Sequence, residues 1–318
     1  MNNFWEKLPK PFFVLAPMAD VTDAAFRRII SKYGKPDVTW TEFVSADGLA
    51  SKGREVLKYD LMFTEGERPI VAQLFSSHPD KMREASKFVA LLGFDGIDIN
   101  MGCPDRSIEK QGAGAAMIKN PKMAGIIIQA VKDGIKDAGC DIPVSVKTRV
   151  GYNKVQIDEW IPFLLSQDIA ALTIHARTRK EMSLVPARWE HVKEVVEIRN
   201  KMGVKTKIIG NGDARDINHA RLLVKETSCD GVMLGRAIFG NPWLFSEHIP
   251  SIKEKLKVMI EHTKLFEELL GKIKNFAIMK KHYKAYANGF DGAKELRIEL
   301  MEQENSSQME AIVNKFLD

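Results

Sequence analysis

The sequence predicts an α/β protein, a (β/α)8 TIM barrel followed by a small C-terminal helical domain. Three observations carry this expectation. Eight short β-like runs alternate with amphipathic segments between Phe12 and Ala237, and such alternation implies a parallel sheet joined by right-handed crossovers. Eight units within about 240 residues match the size of a closed barrel. After Asn241-Pro242-Trp243 the β-like runs stop and a Lys-, Glu-, Leu-, Met- and Ala-rich stretch follows, so residues 1–246 read as the barrel and 247–318 as a helical domain.

In chain order the β-like runs are Phe12–Pro17, Val38–Val44, Ile70–Phe75, Gly96–Gly102, Val144–Val150, Ala171–Arg177, Lys207–Asp213 and Gly231–Ala237. Amphipathic segments such as Asp23–Tyr33, Asp80–Leu92, Pro121–Asp137, Trp189–Met202 and Asp216–Thr227 lie between them, with apolar residues recurring at three and four. An open doubly wound sheet is the alternative. It fits less well: no GxGxxG turn follows the first run, and polar residues gather at the ends of many strands and not at one switch point. In the tail, Gly271 and the 289–292 stretch mark helix breaks.

At 318 residues, 45% hydrophobic and 28% charged, the chain has the composition of a globular protein and is excluded from general disorder. No apolar run approaches the roughly 18–20 residues of a membrane span. The first ten residues, carrying Trp5, Glu6 and Pro9, lack the layout of a secretory signal, so a cytoplasmic location is expected. Three cysteines without CxxC spacing argue against a disulfide framework and against a zinc site, and no metal is expected. Nothing demands more than a monomer. The net charge of +5 is modest, but Lys272, Lys274, Lys280, Lys281 and Lys284 with His282 fall in a stretch without acids. That stripe is either a phosphate-facing surface or an ordinary solvated helix face.

The strand ends carry the candidate chemistry: Pro17-Met18-Ala19, Glu42, Gln73, Asn100 with Cys103, Lys147 with Arg149, His175 with Arg177, Asn211-Gly212-Asp213 and Gly235-Arg236. In a barrel these ends share one mouth, and so many polar groups point to a bound polar ligand. Cys103 stands in a Gly-Cys-Pro turn that ends the alternating run, which sets it apart from Cys140 and Cys229, expected to be small buried apolar groups. With a reference pKa near 8.5 its thiol is suited to proton donation as well as to nucleophilic attack. The glycines of Asn211-Gly212-Asp213 and Leu234-Gly235-Arg236 stand at the usual phosphate position of such barrels, each expected before a helix N-terminus; tight turns alone are the other explanation. Lys147 needs an anionic partner, either a ligand or a salt bridge to Asp98 or Glu42. His175 is a ligand contact or a satisfied core histidine.

Taken in order, Ala16-Pro17-Met18-Ala19-Asp20-Val21-Thr22-Asp23, Gly96-Ile97-Asp98-Ile99-Asn100-Met101-Gly102-Cys103-Pro104, Gln111-Gly112-Ala113-Gly114-Ala115, Val146-Lys147-Thr148-Arg149, His175-Ala176-Arg177-Thr178, Asn211-Gly212-Asp213 and Gly235-Arg236 resemble the tRNA-dihydrouridine synthases. The likeness runs from about Phe12 to Trp243, and the tail with His282-Tyr283 and Gly292-Ala293 resembles that family's RNA-binding domain. The resemblance implies FMN-dependent reduction of the C5–C6 double bond of a uridine in tRNA, with NADPH reducing the flavin. It implies that Pro17, Met18 and Ala19 line the flavin ring, that Gln73 bonds its pyrimidine edge, that Lys147 faces N1 and O2, and that His175 also contacts it. Asn211, Gly212, Asp213, Gly235 and Arg236 would hold the ribityl-phosphate tail.

By the same resemblance Cys103 is the acid that protonates C5 after hydride reaches C6. Asn100 would orient the base, Arg177 would contact the uracil or a phosphate, and Lys280 and Lys281 would grip the tRNA backbone. The target uridine would have to be flipped out of its stack. Asp20 replaces a frequent glycine, Glu181 and Ser183 stand where glutamine and an aromatic residue are common, and Val185-Pro186 occupies the region of a usual glycine. Two rivals are a flavin barrel acting on a small pyrimidine, against which the basic tail speaks, and an RNA-binding relative without turnover, against which Cys103, Lys147 and Asn100 together speak.

Overall fold

A computed structural model describes residues 3–318. Its eight parallel strands are β1 (Phe12–Leu15), β2 (Thr39–Ser45), β3 (Ile70–Phe75), β4 (Gly96–Met101), β5 (Val144–Arg149), β6 (Ala171–His175), β7 (Lys207–Asn211) and β8 (Gly231–Leu234). They pair in the order β1-β8-β7-β6-β5-β4-β3-β2. The ring closes between β1 and β2 through a single bridge, Val14 to Val38, with Leu15 N donating to Val38 O at 3.3 Å and Asp37 N to Phe13 O at 2.9 Å. The expected barrel is therefore the observed one, with a narrow seam.

The outer helices are α1 (Ala24–Tyr33), α2 (Pro79–Leu91), α3 (Pro121–Asp137), α4 (Ile157–Leu165), α5 (Glu190–Met202) and α6 (Ile217–Thr227). Asp23 caps α1 by accepting from Phe26 N, and Asp216 caps α6 by accepting from His219 N. After β2 the chain forms two four-residue helices, Ala46–Leu49 and Arg54–Leu57. α4 forms in spite of Pro162, because its buried Ile157, Trp160, Ile161, Leu164 and Leu165 dock on the sheet.

Side chains alternate inside and outside along each strand. The lower interior is apolar, with Phe12, Val14, Val38, Trp40, Val71, Ala171, Ile209 and Met233 in one cluster. Trp5 joins it from a 3-10 turn, its ring 5.8 Å from those of Phe12 and Trp40, and plugs the bottom of the barrel. Sequence inspection gave Trp5 no structural part. The upper interior is polar, and that is where the site forms.

Four helices complete the chain: α7 (Ile252–Leu270), α8 (Ile278–Tyr286), α9 (Ala293–Met301) and α10 (Ser306–Leu317). They start from a capping box in which Ser251 and Glu254 satisfy each other's backbone amides. The expected breaks appear: Gly271 ends α7, and Gly292, at φ +79°, precedes α9. Apolar residues of these helices share one core cluster with the barrel's outer layer. The contact is close. Gly240 sits at φ +67° where a Cβ would lie 2.3 Å from Ala285 O, so only glycine lets this segment meet α8.

Phe26 of α1 lies against His262 of α7 and His282 of α8, each ring pair 4.7 Å apart. His282 and Tyr283 are buried here, so they pack the tail onto the barrel and do not belong to an exposed basic stripe. Neither nitrogen of His282 has a hydrogen-bond partner among the described residues. Burial pushes this imidazole down to about 3. The unfolded chain therefore takes up a proton near 6.5 that the folded chain refuses, and stability present above that pH is lost as the pH falls toward 3, by about 1.4 kcal/mol per pH unit. His282→Phe is expected to remove that share of the acid sensitivity and to stabilise the fold at neutral pH. Urea unfolding at pH 7 and pH 4.5 tests this; an unchanged slope of stability against pH in the variant contradicts it.

Candidate active site

The polar upper interior follows from register. Gln73 stands beside Asp98, Asp98 beside Ser145, Asn100 beside Lys147, Lys147 beside Thr173, and His175 beside Asn211. Asp98 is fully buried and accepts from Ser145 Oγ and from Gln73 Nε2, both at 2.6 Å. Gln73 Oε1 accepts from Asn100 Nδ2 at 3.0 Å, and Asn100 Oδ1 accepts from the amides of Gly102 and Cys103 at 3.1 and 2.9 Å. The direction of each bond is forced by the next: an oxygen that takes two backbone N–H groups turns the Asn100 amide nitrogen toward Gln73, which in turn donates to Asp98. A continuous chain thus runs from a buried carboxylate to the backbone of Cys103.

The turn that carries Cys103 is held on further sides. Arg149 Nε donates to Gly102 O at 2.8 Å, Ala115 N donates to Cys103 O at 2.9 Å, and Asp105 begins a short helix by accepting from Ser107 N at 2.8 Å. The thiol is half-buried, whereas Cys229 is buried as expected and Cys140 is only half-buried. Burial raises the Cys103 pKa; the Asp105 amide and the charges of Lys147 and Arg149 oppose without reversing it. At neutral pH this residue is a thiol.

Lys147 forms neither of the salt bridges open to it on sequence grounds. Glu42 is engaged by Lys274 at 2.6 Å, Asp98 by Ser145 and Gln73, and Lys147 makes no hydrogen bond or ion pair among the described residues. Burial and the Arg149 guanidinium push its ammonium down to about 8. Burial likewise raises Asp98 to about 6, against its hydrogen bonds and the field of Lys147. His175 is held well below its usual range by burial and by Lys147, Arg149, Arg177 and Arg236. Its Nε2 lies 3.2 Å from Arg177 Nη1, which can only donate, so the imidazole proton sits on Nδ1.

A cavity of about 250 Å3 opens over these groups. Pro17, Met18, Lys147, His175, Arg177, Asn211, Gly212, Asp213, Gly235 and Arg236 line it, together with Ala16, Ser183 and two residues that no sequence pattern marks, Ala214 and Met233. Gln73, Asn100 and Cys103 are not in its lining, although Asn100 stands beside Lys147 in the sheet, and Ala19 lies exposed beyond it. Among the described residues, no turn or loop hydrogen bond uses the amides of Gly212, Asp213, Gly235 or Arg236. Gly212, at φ +128° with the Ala187 Cβ 2.7 Å from where its own would be, keeps that backbone bare. The arrangement suits an anion.

One expectation about this cradle needs correction. Only a three-residue 3-10 turn, Arg236–Ile238, follows β8, so the full helix expected there is absent and the donors are strand-end amides. The Asp213 carboxylate does not face the cavity as a free acid: it pairs with Arg177, with Arg236 at 2.7 Å, and accepts from Ala187 N at 2.9 Å. Asp213 is at φ +53°. Its side chain holds the two arginines in place.

Lys280 and Lys281 are half-buried on α8, outside the cavity, with Lys272 and Lys284 exposed nearby. Lys274 does not belong to that surface, since it is paired with Glu42 and with Asp60 at 3.0 Å. A larger cavity, about 1020 Å3, opens at the opposite end of the barrel among Lys10, Lys136, Arg199, Lys205 and Asp230. None of the strand-end chemistry reaches it, so the smaller one is the site.

The fold and this mouth define a class: a (β/α)8 barrel whose strand ends carry an ammonium with no hydrogen bond or ion pair among the described residues and backbone amides suited to an anion. The family described as "Dihydrouridine synthase (Dus)" matches residues 14–318. A probable tRNA-dihydrouridine synthase of Staphylococcus aureus (strain MRSA252) is 40% identical over 322 residues, covering 99% of this chain and 96% of the relative. Probable tRNA-dihydrouridine synthase 2 of Bacillus subtilis (strain 168) is 41% identical over 322 residues, covering 99% and 97%. The chain belongs to the dihydrouridine synthase family, flavin-dependent oxidoreductases acting on uridines of tRNA.

Among solved structures, histamine dehydrogenase from Rhizobium sp. 4-9 shares the fold with a TM-score of 0.54 at 12% identity, over 80% of this chain and 48% of that one. A 2-naphthoyl-CoA reductase in complex with 2-naphthoyl-CoA does so at 0.52 and 10%, over 73% and 49%. This chain thus spans about half the length of each. No helix among the described residues is long and apolar enough to cross a membrane.

The raised Cys103 pKa has a direct readout. Alkylation of Cys103 by iodoacetamide, followed by mass spectrometry of its peptide, is expected to accelerate with pH without a plateau below pH 9. A plateau reached by pH 8 would identify a stabilised thiolate and contradict the geometry.

Proposed function

We propose that the protein is a tRNA-dihydrouridine synthase that holds FMN in the barrel mouth, uses NADPH as its electron donor and reduces the C5–C6 bond of a uridine in tRNA. The observation that carries this reading is Lys147, an ammonium at the cavity with no hydrogen bond or ion pair among the described residues, beside strand-end amides that no loop acceptor among them uses. Both fit the two ends of FMN: a ring whose pyrimidine edge gathers negative charge, and a phosphate. When bound, FMN supplies a hydride equivalent to C6 of the uracil.

The chain's own groups do the rest. Lys147 holds positive charge at the pyrimidine edge and Gln73, locked by Asp98 and Asn100, presents its amide there. Pro17, Met18 and Ala19 bound the ring, and His175, neutral with its proton on Nδ1, contacts it. Asn211, whose Nδ2 is committed to Met233 O at 2.8 Å, Gly212, Asp213, Gly235 and Arg236 receive the ribityl-phosphate. Cys103 begins the step protonated and gives its Sγ proton to C5. Asn100 fixes the turn carrying that thiol and orients the base, and Arg177 contacts the uracil or a neighbouring phosphate. In this reading residues 1–246 are the catalytic barrel and 247–318 the RNA-binding domain. Lys280 and Lys281 meet the tRNA backbone, and a monomer in the cytoplasm suffices.

Two departures from the family's habit have local explanations. Asp20 adopts φ +52°, a conformation glycine takes without cost, which accounts for glycine being common there. Glu181 accepts from Thr178 N at 2.7 Å and pairs with Arg188 at 2.7 Å, so it ties its loop internally.

The test is a visible spectrum of the protein with FMN, followed anaerobically through NADPH and then unmodified tRNA. Bleaching by NADPH and recovery with tRNA, but not with uracil or orotate, is the expected result; recovery with a small pyrimidine alone would replace tRNA as the substrate. Cys103→Ala should bleach normally and recover about 10²–10⁴-fold more slowly. FMN affinity should hold steady below pH 8 and weaken as the pH rises through about 8, where Lys147 loses its proton. Lys147→Met should bind more weakly and lose that dependence, as measured by flavin fluorescence titration.

A further inference from the structure

Lys274 lies between α7 and α8, in a stretch whose other lysines are exposed or half-exposed, yet its side chain is 17% exposed and turned toward the barrel. Its Nζ stands 2.6 Å from Glu42 Oε2 and 3.0 Å from Asp60 Oδ1. Glu42 is buried near the C-terminal end of β2, and its second oxygen accepts from the backbone N–H of Asp20. Asp20 directly follows Pro17-Met18-Ala19 and has the left-handed backbone that an aspartate adopts at some cost. The rest of that turn is closed by Thr22, whose Oγ1 accepts from Met18 N at 3.0 Å, and by Val21 N donating to Met18 O at 3.1 Å. Glu42 is thus the outside support of a strained turn that lines the cavity.

We propose that Lys274 is a positioning residue for the flavin: from the helical tail it fixes Glu42, Glu42 fixes Asp20, and the Pro17–Ala19 turn is thereby held in its cofactor-binding shape. The inference rests on the flavin reading given above. It makes the tail a part of the cofactor site as well as an RNA surface.

The electrostatics explain why the link is not optional. Burial, Asp23 and Asp60 all disfavour a charged Glu42, and Lys274 is the cation that opposes them. Asp23 is itself buried, with one oxygen spent on the α1 cap and the other without a hydrogen-bond partner among the described residues. Without the ammonium, Glu42 would be left among carboxylates. It would take up a proton, becoming a weaker acceptor for the Asp20 amide, or turn toward water and release it.

The experiment measures FMN binding by fluorescence quenching and tRNA binding as a function of salt, in the full chain. Lys274→Ala is expected to raise the FMN Kd about tenfold, within the usual range for coupling between sites. Lys274→Arg should restore most of the affinity. The slope of log affinity for tRNA against log salt should not change, because Lys274 faces carboxylates and not phosphates. Glu42→Gln keeps the shape and the acceptor while removing the charge, so it should weaken FMN binding less, and adding Lys274→Ala to it should cost less than in the parent. This pair keeps the test usable if the single alanine variant folds poorly. An unchanged FMN Kd in Lys274→Ala, a lowered salt slope, or strict additivity of the pair would overturn the proposal. Failure of the parent protein to bind FMN at all would instead overturn the flavin reading.

Discussion

Asp98 is a carboxylate inside a barrel, closed off from bulk solvent, and much of the site is arranged around satisfying it. Ser145 and Gln73 donate to it, Lys147 stands in its field, and the direction of the Gln73 amide is thereby set. Once Gln73 is set, so is Asn100, and once Asn100 is set, the amides of Gly102 and Cys103 have a fixed acceptor. A buried polar network is stabilising only when every member is paired. The requirement for full pairing and the requirement for a positioned thiol are here met by the same bonds.

Lys147 is the counterexample within that network. It carries a charge that the protein leaves without a hydrogen-bonded partner, in a mouth where Arg149, Arg177 and Arg236 are each committed to backbone or to Asp213. Such an imbalance costs stability in the free protein and is recovered when an anion arrives. The mouth is in this sense built for its occupied state.

The barrel could be read from the sequence because parallel strands show themselves as short apolar runs and because each ended on polar residues that a core would not tolerate. The same strand ends supplied most of the cavity lining. What escaped was set by tertiary contact. Trp5 lies in a segment with no periodicity, and its burial depends on the hole it fills. The turn after β8 and the neutralisation of Asp213 depend on which arginines come near, which spacing does not reveal. His282 and Lys274 share a basic stretch with Lys280 and Lys281, yet His282 is buried on the inner side of α8 against Phe26, and Lys274, in the connection before α8, is paired with Glu42; a count of lysines separates neither.

The barrel closes on itself at one bridge, between β1 and β2. The tail lies across that seam, stacked on Phe26 of the helix after β1 and bonded to Glu42 on β2. A segment that holds both lips of the closure cannot be inherited as a loose module. Recombination that exchanged this tail for a distant relative's would have to carry the matching lip residues with it, so barrel and tail are expected to have diversified together, as one heritable unit.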